Sequence, residues 1–268
     1  MAEGEAAITS IKDAAVVEAR KAVAPGGGSY LVDGAGLVLQ AVEARVGVAT
    51  VFLLGGADDE ETAALALACR RRNVRCATLS RGVFFKLLSL GYETAVSALA
   101  VIARPGGATM PEALPEDFCL LAGETIQDPR NVGVIVRTAD GMGPAAAAFS
   151  ADSADPYCRA AVRSSTGSIF RVAPAMPGDL PGYLRRLRGM GARVIGTSAA
   201  GEQTCSQADL TGRVVIAVGN ETKGMSEAMR AECDEVVKIP MSGGAHSFNV
   251  TVATGILLYE RTRQTGKG

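Results

Sequence analysis

The chain has 268 residues, of which 48% are hydrophobic and 21% are charged, a composition of globular proteins that excludes disordered and collagen-like chains. A prior of roughly 150 residues per domain predicts one large or two modest domains. Lysine and arginine total 27 against 28 for aspartate and glutamate, a net charge of -1. Any electrostatic signal for nucleic acid must therefore be local.

Cysteine and histidine usage argues against metal and redox chemistry. The six cysteines include no CxxC pair, which disfavours a thiolate metal site or a redox pair. His246 is the single histidine, so a multi-histidine metal centre is excluded and most hydrolase mechanisms are disfavoured. We expect no metal.

The sequence also lacks the patterns of membrane proteins. No apolar run reaches the roughly 18 residues that a membrane span requires. Residues 1–10 carry Glu3 and Glu5 and show neither the basic nor the apolar segment of a secretion signal. We expect a cytoplasmic protein without a membrane partner.

A stretch rich in proline and glycine, residues 104–116, is the strongest internal break. Proline lacks an N–H, and neither residue favours helix or strand. We predict a linker over residues 107–116, between an N-terminal domain of residues 1–106 and a C-terminal domain of residues 117–268.

Helical and strand-like patterns alternate in the N-terminal part, which predicts a small α/β domain. In chain order they predict a helix over about residues 10–23, a strand at 30–32, a helix carrying Leu37, Val38, Ala41 and Val42, a strand at 50–54, a helix opened by Asp58 and Asp59 and ended by Arg70, Arg71 and Arg72, and a strand at 74–79.

The C-terminal part contains apolar runs that predict buried strands at residues 118–122, 145–149, 193–197, 214–218 and 236–239. Helices separate them, which indicates a doubly wound parallel sheet covered on both faces. The pairs Asp128-Pro129 and Asp155-Pro156 each predict a helix start, since a carboxylate caps the helix and proline suits its first position.

The segment VDGAG places Gly34 and Gly36 between a short strand and a helix, as a dinucleotide fingerprint does. Its third glycine position is Leu39, and no acidic residue ends a clear second strand about 20 residues later. A structural turn is the favoured interpretation.

Residues 128–143 form the second candidate. If Asp128 caps this helix, Asn131 and Gly133 lie near free backbone N–H groups, and Arg137 follows one to two turns later. Arg137 can then meet a phosphate or a developing oxyanion. The alternative is a solvated arginine paired with Asp140, and spacing alone does not decide between them.

Residues 217–226 follow the strand at 214–218. Gly219 and Gly224 permit a sharply folded loop that a ligand can approach closely. The alternative is a structural turn in which Glu221 and Lys223 are solvated.

Residues 239–260 form the fourth candidate, with a strand ending at Pro240 and a glycine-containing turn. Ser247 or Asn249 can cap the following helix. Helix starts after strand ends are where α/β sheets bind ligands, whereas a lone loop histidine such as His246 is more often idle than catalytic.

Together, the last three segments resemble the three motifs of the SpoU (TrmH-like) branch of the SPOUT methyltransferases, which methylate the ribose 2'-hydroxyl of RNA. The resemblance covers about residues 118–264. It rests on Asn131, Gly133 and Arg137, then Gly219, Glu221, Gly224 and Ser226, then Ile239, Pro240, Met241, Ser247, Asn249 and Val250.

The resemblance implies a C-terminal trefoil knot whose loops bind S-adenosylmethionine, and a homodimer formed through this domain. Chain threading of that kind is nearly absent from folds at large, so only the family implies it. The cofactor positions fall on Thr197, Gly219, Glu221, Ile239, Met241 and Phe248, where phenylalanine replaces the usual leucine.

The implied catalytic positions are Arg137, Asn131, Glu221, Ser247 and Asn249. Arginine stays protonated in proteins, so we expect Arg137 to orient the ribose and stabilise an oxyanion. Asn131 would fix the ribose, and Arg163 of a second subunit would hold a phosphate.

The N-terminal part resembles the ribosomal-protein-like RNA-binding domain of many such enzymes. Its cluster of Arg70, Arg71, Arg72 and Arg75 would contact RNA phosphates; the alternative is a helix end stabilised by cations. The two-domain build resembles that of 23S ribosomal RNA enzymes, including some that confer antibiotic resistance.

Three alternatives stay open: a transfer RNA 2'-O-methyltransferase, a non-catalytic RNA-binding protein with this fold, and a nucleotide-dependent enzyme using VDGAG.

Overall fold

The computed structural model describes residues 7–88, 95–106, 110, 112–143 and 145–266. The chain forms two compact units, Met1–Pro105 with Tyr157–Arg159, and Gly106–Pro156 with Ala160–Gly268. Residues 107–109 and 111 of the predicted linker, and residues 1–6 of the predicted N-terminal domain with Glu3 and Glu5, lie outside the described residues.

The first unit is a four-stranded sheet with helices. Its elements are α1 (Ala14–Val23), β1 (Ser29–Asp33), α2 (Ala35–Glu43), β2 (Val48–Leu54), α3 (Glu60–Arg72), β3 (Cys76–Leu79), α4 (Arg81–Leu88) and β4 (Ala98–Ala103). The strand order is β1-β4-β2-β3. Strand β4 runs antiparallel to β1 and β2, whereas β2 and β3 are parallel.

Local signals in the first unit set where helices begin and end. Helix α1 begins at Ala14, later than predicted, because the Asp13 carboxylate caps it by accepting from the Ala15 N–H. Asp59, one of the two predicted candidates, caps α3. Asn73 ends α3 in the left-handed conformation, so β3 starts at Cys76 and not at residue 74.

The sequence prediction missed α4 and β4. Strand β4 lies between β1 and β2, and it is buried along residues 98–102. Its near-continuous apolar run was the available signal, but an apolar run does not reveal whether a strand is parallel or antiparallel.

The second unit has a six-stranded sheet in which the recorded strand pairings are all parallel, in the order β6-β5-β9-β7-β10-β8. The elements are β5 (Cys119–Gly123), α5 (Pro129–Gly141), β6 (Ala145–Phe149), α6 (Arg159–Ser165), α7 (Leu180–Gly189), β7 (Arg193–Thr197), β8 (Gln203–Thr204), β9 (Val214–Val218), α8 (Glu227–Ala231), β10 (Glu235–Lys238) and α9 (Val250–Thr265). The predicted α/β fold with a parallel sheet is confirmed.

Both faces of this sheet are covered at its centre, since every residue of β5 and β9 is buried. One core cluster joins these strands to α7 and α8 through side chains such as Leu184 and Met229. Because the strands are parallel, their carboxyl ends meet at one edge of the sheet. The two-residue edge strand β8 was not predicted.

The structure decides four predicted boundaries of the second unit. Asp128 caps α5 as predicted, accepting from the Arg130 N–H. The helix start predicted at Asp155-Pro156 is wrong, because α6 begins at Arg159. The segment before α6 is bonded to the loop after β5 instead, through the Ala154 N–H and the Ile126 carbonyl. Strand β10 ends at Lys238, and Asn249, not Ser247, caps α9.

Helices α5 and α6 pack so closely that one contact requires glycine. A Cβ on Gly133 would overlap the Ala161 carbonyl oxygen and the Ser164 hydroxyl. The Ser164 hydroxyl also donates to the Arg130 carbonyl at 3.2 Å. Gly133 therefore serves helix packing rather than the approach of a ligand.

We predict that Gly133→Ala destabilises the protein by about 1–3 kcal/mol, because the added methyl forces α5 and α6 apart. Chemical denaturation measures the change. Gly141→Ala is the matched control on the same helix, since its Cβ would meet no atom within 4 Å; a gain of up to about 1 kcal/mol is expected there. Equal stability of the Gly133→Ala variant and the parent would contradict the packing argument.

Candidate functional site

A cavity of about 380 Å³ lies at the carboxyl edge of the second unit's sheet, within the size range of small-molecule sites. Its walls come from the ends of β7, β9 and β10, from the loops that follow them, and from the first turn of α9. The lining residues are Thr197, Ser198, Ala199, Val218, Gly219, Asn220, Glu221, Thr222, Lys223, Gly224, Val237, Ile239, Met241, His246, Ser247, Phe248, Val250 and Ala253.

The structure brings the predicted cofactor-binding residues together at this cavity, but not the predicted RNA-binding arginines, Arg137, Asn131 or Asn249. All six predicted cofactor positions line it, and so does Ser247. The Thr197 hydroxyl donates to the Ala217 carbonyl at 3.2 Å, which ties the end of β7 to β9. Sequence reasoning missed Ser198, Ala199 and Asn220, whose only signal was their position just after a predicted strand.

The loop of residues 219–224 is a tight turn and also a wall of the cavity. A Cβ on Gly219 would overlap the backbone of Gly224, and Gly224 has φ +70°, so both positions favour glycine. Asn220 and Gly224 exchange backbone N–H to carbonyl hydrogen bonds at 3.1 and 2.9 Å. The close folding of this loop presents its main chain to the cavity.

Asn131 and Glu221 meet although they lie 90 positions apart in the chain. The Asn131 amide Nδ2 donates to Glu221 Oε1 at 2.7 Å. Since Glu221 lines the cavity, this bond connects the first turn of α5 to the site. Glu221 is thus exposed but bonded, and the alternative of a structural turn with a solvated Lys223 stays open.

Asn249 does not line the cavity. Its Oδ1 accepts from the Thr251 N–H at 2.8 Å and from the Thr251 hydroxyl at 2.6 Å, so the side chain caps α9. This cap fixes where the segment carrying Ser247 and Phe248 enters the helix.

Arg137 is exposed on α5 and is not among the residues that line the cavity. The alternative pairing with Asp140 is wrong, because Asp140 accepts from Arg171 at 2.6 Å and from the Ser168 hydroxyl at 2.8 Å. These donors, Arg171 first, lower the pKa of Asp140. Among the described residues, Arg137 makes no hydrogen bond or ion pair, which leaves its guanidinium free for an external anion.

The VDGAG segment forms a strand-to-helix turn. Gly34, with φ 100°, occupies the N-cap position of α2. A Cβ on Gly36 would lie 3.3 Å from the Glu61 carboxylate. A carboxylate at that place repels a pyrophosphate, so a dinucleotide site is disfavoured.

The predicted RNA-binding arginines are divided between the two units. Arg70, Arg71 and Arg72 form the exposed last turn of α3, and Arg75 pairs with Glu18 at 3.2 Å. Arg163 is exposed on α6.

In the described part of the chain, no group of three or more histidine, cysteine, aspartate or glutamate residues could hold a metal ion. Nor does any helix there have the length and apolar character needed to cross a membrane. Burial raises the pKa of Cys119 and of Cys233 to about 11, so both thiols are protonated at neutral pH and are poor nucleophiles.

Comparison with known proteins identifies relatives that match between about half and two thirds of this chain. The chain is 34% identical over 190 residues to the 23S rRNA (uridine(2479)-2'-O)-methyltransferase of Streptomyces viridochromogenes, covering 68% of this chain and 66% of that protein. It is 36% identical over 145 residues to the 23S rRNA (guanosine-2'-O-)-methyltransferase RlmB of Pseudomonas putida, covering 54% and 58%. The matched regions thus span about two thirds or less of these curated relatives.

A solved structure and a family profile agree with these relatives. The SpoU methyltransferase AviRb from Streptomyces viridochromogenes, in complex with the cofactor AdoMet, superposes with a TM-score of 0.81 at 29% identity, covering 96% of this chain and 100% of that one. The profile described as the SpoU rRNA Methylase family matches residues 119–259, which include the cavity and its loops. The chain therefore belongs to the SpoU rRNA Methylase family.

Proposed function

We propose that this protein transfers a methyl group from S-adenosylmethionine to a ribose 2'-hydroxyl of ribosomal RNA. One observation carries the proposal. The segments that follow β7, β9 and β10 line one cavity, and Asn131 is bonded to Glu221 at its margin. Relatives named as 23S rRNA 2'-O-methyltransferases make 23S RNA the favoured substrate over transfer RNA. An enzyme acting on ribosomal RNA would work in the cytoplasm.

The residues of the cavity fit S-adenosylmethionine. Val218, Ile239 and Val250 supply apolar walls suited to an adenine ring, and main-chain groups after β9 and β10 can hydrogen-bond its edge and the ribose. Thr197, Gly219, Glu221, Met241 and Phe248 would hold the rest of the molecule. When bound, this cofactor supplies a methyl group already activated on a sulfonium.

The chain's own residues would align the acceptor hydroxyl and stabilise its charge. Arg137 cannot serve as a free base, because a guanidinium stays protonated. Its exposed charge would instead orient the ribose and stabilise the developing oxyanion, while the proton passes to a neighbouring phosphate or water. Asn131, held by Glu221, would fix the ribose, and Ser247 would shape the pocket beside the capping residue Asn249.

The trefoil knot belongs to this proposal as well. It is supported by family membership and by the loops after β9 and β10, which line one cavity as the loops of a knot would.

RNA binding would involve both domains, taken as residues 1–106 and 117–268 with a linker at 107–116. The exposed arginines at the end of α3 carry charge suited to phosphates. Arg75 would join them by exchanging its exposed pair with Glu18 for a phosphate. Arg163 would hold a phosphate of RNA bound to the second subunit.

A homodimer through the C-terminal domain is supported by exposed apolar side chains. Val252 and Tyr259 on α9 are 46% and 61% exposed, Phe248 before the helix is 40% exposed, and Met142 after α5 is 37% exposed. Helices α5 and α9 pack against each other. Exposed apolar residues on α9 and beside the ends of α5 and α9 favour an interaction surface here.

We predict that Arg137→Ala lowers the rate of methyl transfer to 23S RNA at least about 100-fold, the usual loss for one oxyanion donor. Transfer is measured with radiolabelled cofactor, and cofactor affinity by calorimetry should be unchanged. Arg130→Ala is the matched control, because Arg130 is another exposed arginine of α5, paired with Asp128. Methyl transfer at the parental rate by the Arg137→Ala variant would refute the role given to Arg137.

We predict that Gly219→Ala abolishes cofactor binding, because its Cβ would displace the backbone of residue 224 from the cavity wall. Gly244→Ala, in the next loop, meets no atom within 4 Å and should bind as the parent does. Calorimetric titration with S-adenosylmethionine gives both values. Tight binding by the Gly219→Ala variant would place the cofactor elsewhere.

We predict that Val252→Glu converts the dimer to a monomer, because it places a charge in an apolar interface. Light scattering after size exclusion should show the chain mass of 27.5 kDa for this variant and twice that mass for the parent. Leu67→Glu, at a residue 47% exposed in the first unit, is the control and should remain dimeric. A monomeric parent would refute the proposed dimer.

A further inference from the structure

Thr125 adopts an unusual backbone conformation beside the site. It follows β5 in the loop that leads to α5, and its φ is 55°. A β-branched residue is strained in this left-handed region, so neighbouring groups must hold it there.

Two residues of the loop after β6 hold Thr125. Its N–H donates to the Ser150 hydroxyl at 2.7 Å, and its own hydroxyl donates to Asp152 Oδ2 at 2.8 Å. The Ser150 hydroxyl in turn donates to Asp152 Oδ1 at 2.6 Å. The two hydroxyl donors, Ser150 first, lower the pKa of Asp152, so the carboxylate is ionised at neutral pH.

Thr125 passes this constraint to the cavity wall through Asn220. The Thr125 carbonyl accepts from Asn220 Nδ2 at 2.9 Å. The other end of the same side chain, Asn220 Oδ1, accepts from the N–H groups of Thr222 and Lys223, each at 3.0 Å. The Asn220 amide therefore shapes the turn that carries Glu221, the partner of Asn131.

We propose that Thr125 is a positioning residue: Asp152 and Ser150 hold it in the left-handed conformation, and its carbonyl then fixes Asn220 and the 220–224 wall of the cofactor cavity. Neither Thr125, Ser150 nor Asp152 lines the cavity, so their effect on a ligand must pass through Asn220. This inference rests on the proposed function, because it takes S-adenosylmethionine as the occupant.

The loop after β9, which carries the turn at residues 220–224, has a second attachment that does not depend on Asp152. Glu124, which is buried, accepts from the Ser226 N–H at 2.7 Å and from the Ser226 hydroxyl at 2.6 Å. This attachment holds the far end of the loop to β5. Loss of Asp152 should therefore loosen the turn at residues 220–224 without unfolding the domain.

The test is calorimetric titration of S-adenosylmethionine into Asp152→Ala and into the double variant Asp152→Ala with Thr125→Gly. We expect Asp152→Ala to weaken binding about tenfold, because only part of the population keeps the turn in its binding conformation. Glycine adopts φ 55° without strain, so the double variant should recover the parental affinity. Chemical denaturation of the same variants separates a loss of overall stability from a loss of cofactor affinity.

Asp209→Ala is the matched control. Like Asp152, Asp209 accepts from the hydroxyl of a residue two positions away, here Thr211 at 2.6 Å, and it pairs with Arg193 at 3.0 Å. It precedes β9 and lies at the opposite edge of the sheet. Its loss should leave cofactor affinity unchanged. Parental affinity of the Asp152→Ala variant, or failure of Thr125→Gly to restore it, would overturn the inference.

If Asp152→Ala does not fold, Thr125→Val carries the same test. Valine keeps the β-branch but cannot donate to Asp152, so weaker binding is expected, and parental affinity would overturn the inference. A parent that does not bind S-adenosylmethionine would refute the proposed function itself, which separates the two failures.

Discussion

The parallel alignment of β5, β9, β7 and β10 is the constraint on which the site depends. It places the carboxyl ends of four strands at one edge, so segments far apart in the chain must meet there. Asn131 on α5 reaches Glu221 after β9 for this reason. The strands can hold this edge rigidly because β5 and β9 are buried along their full length.

Side chains and main chain have different tasks at this edge. The cavity wall depends on backbone shape, which explains why Gly219 has no room for a Cβ and why Asn220 uses its amide to bond its own loop. Charged groups lie at the margin or on the exposed face of α5. The guanidinium of Arg137, on that face, is accessible from solvent.

Several polar residues near the site stabilise structure rather than contact a ligand. Asp140 accepts from Arg171 and Ser168, and Asn249 caps α9. Gly133, part of the first motif, lies where α5 and α6 approach each other. A family motif therefore contains residues that hold the helices as well as residues suited to chemistry, and spacing in the sequence does not separate the two.

The sequence by itself determined the α/β class, the parallel sheet of the second unit, the cap at Asp128 and the family, because apolar periodicity, capping and three ordered motifs are local or linear properties. It did not reveal that β4 enters the first sheet antiparallel between β1 and β2, or that α6 starts at Arg159 and not after Asp155. It also left the partner of Asp140 undecided and did not show the left-handed backbone of Thr125. Those features depend on which distant backbone and side-chain groups come within hydrogen-bond distance, and only the tertiary structure decides that.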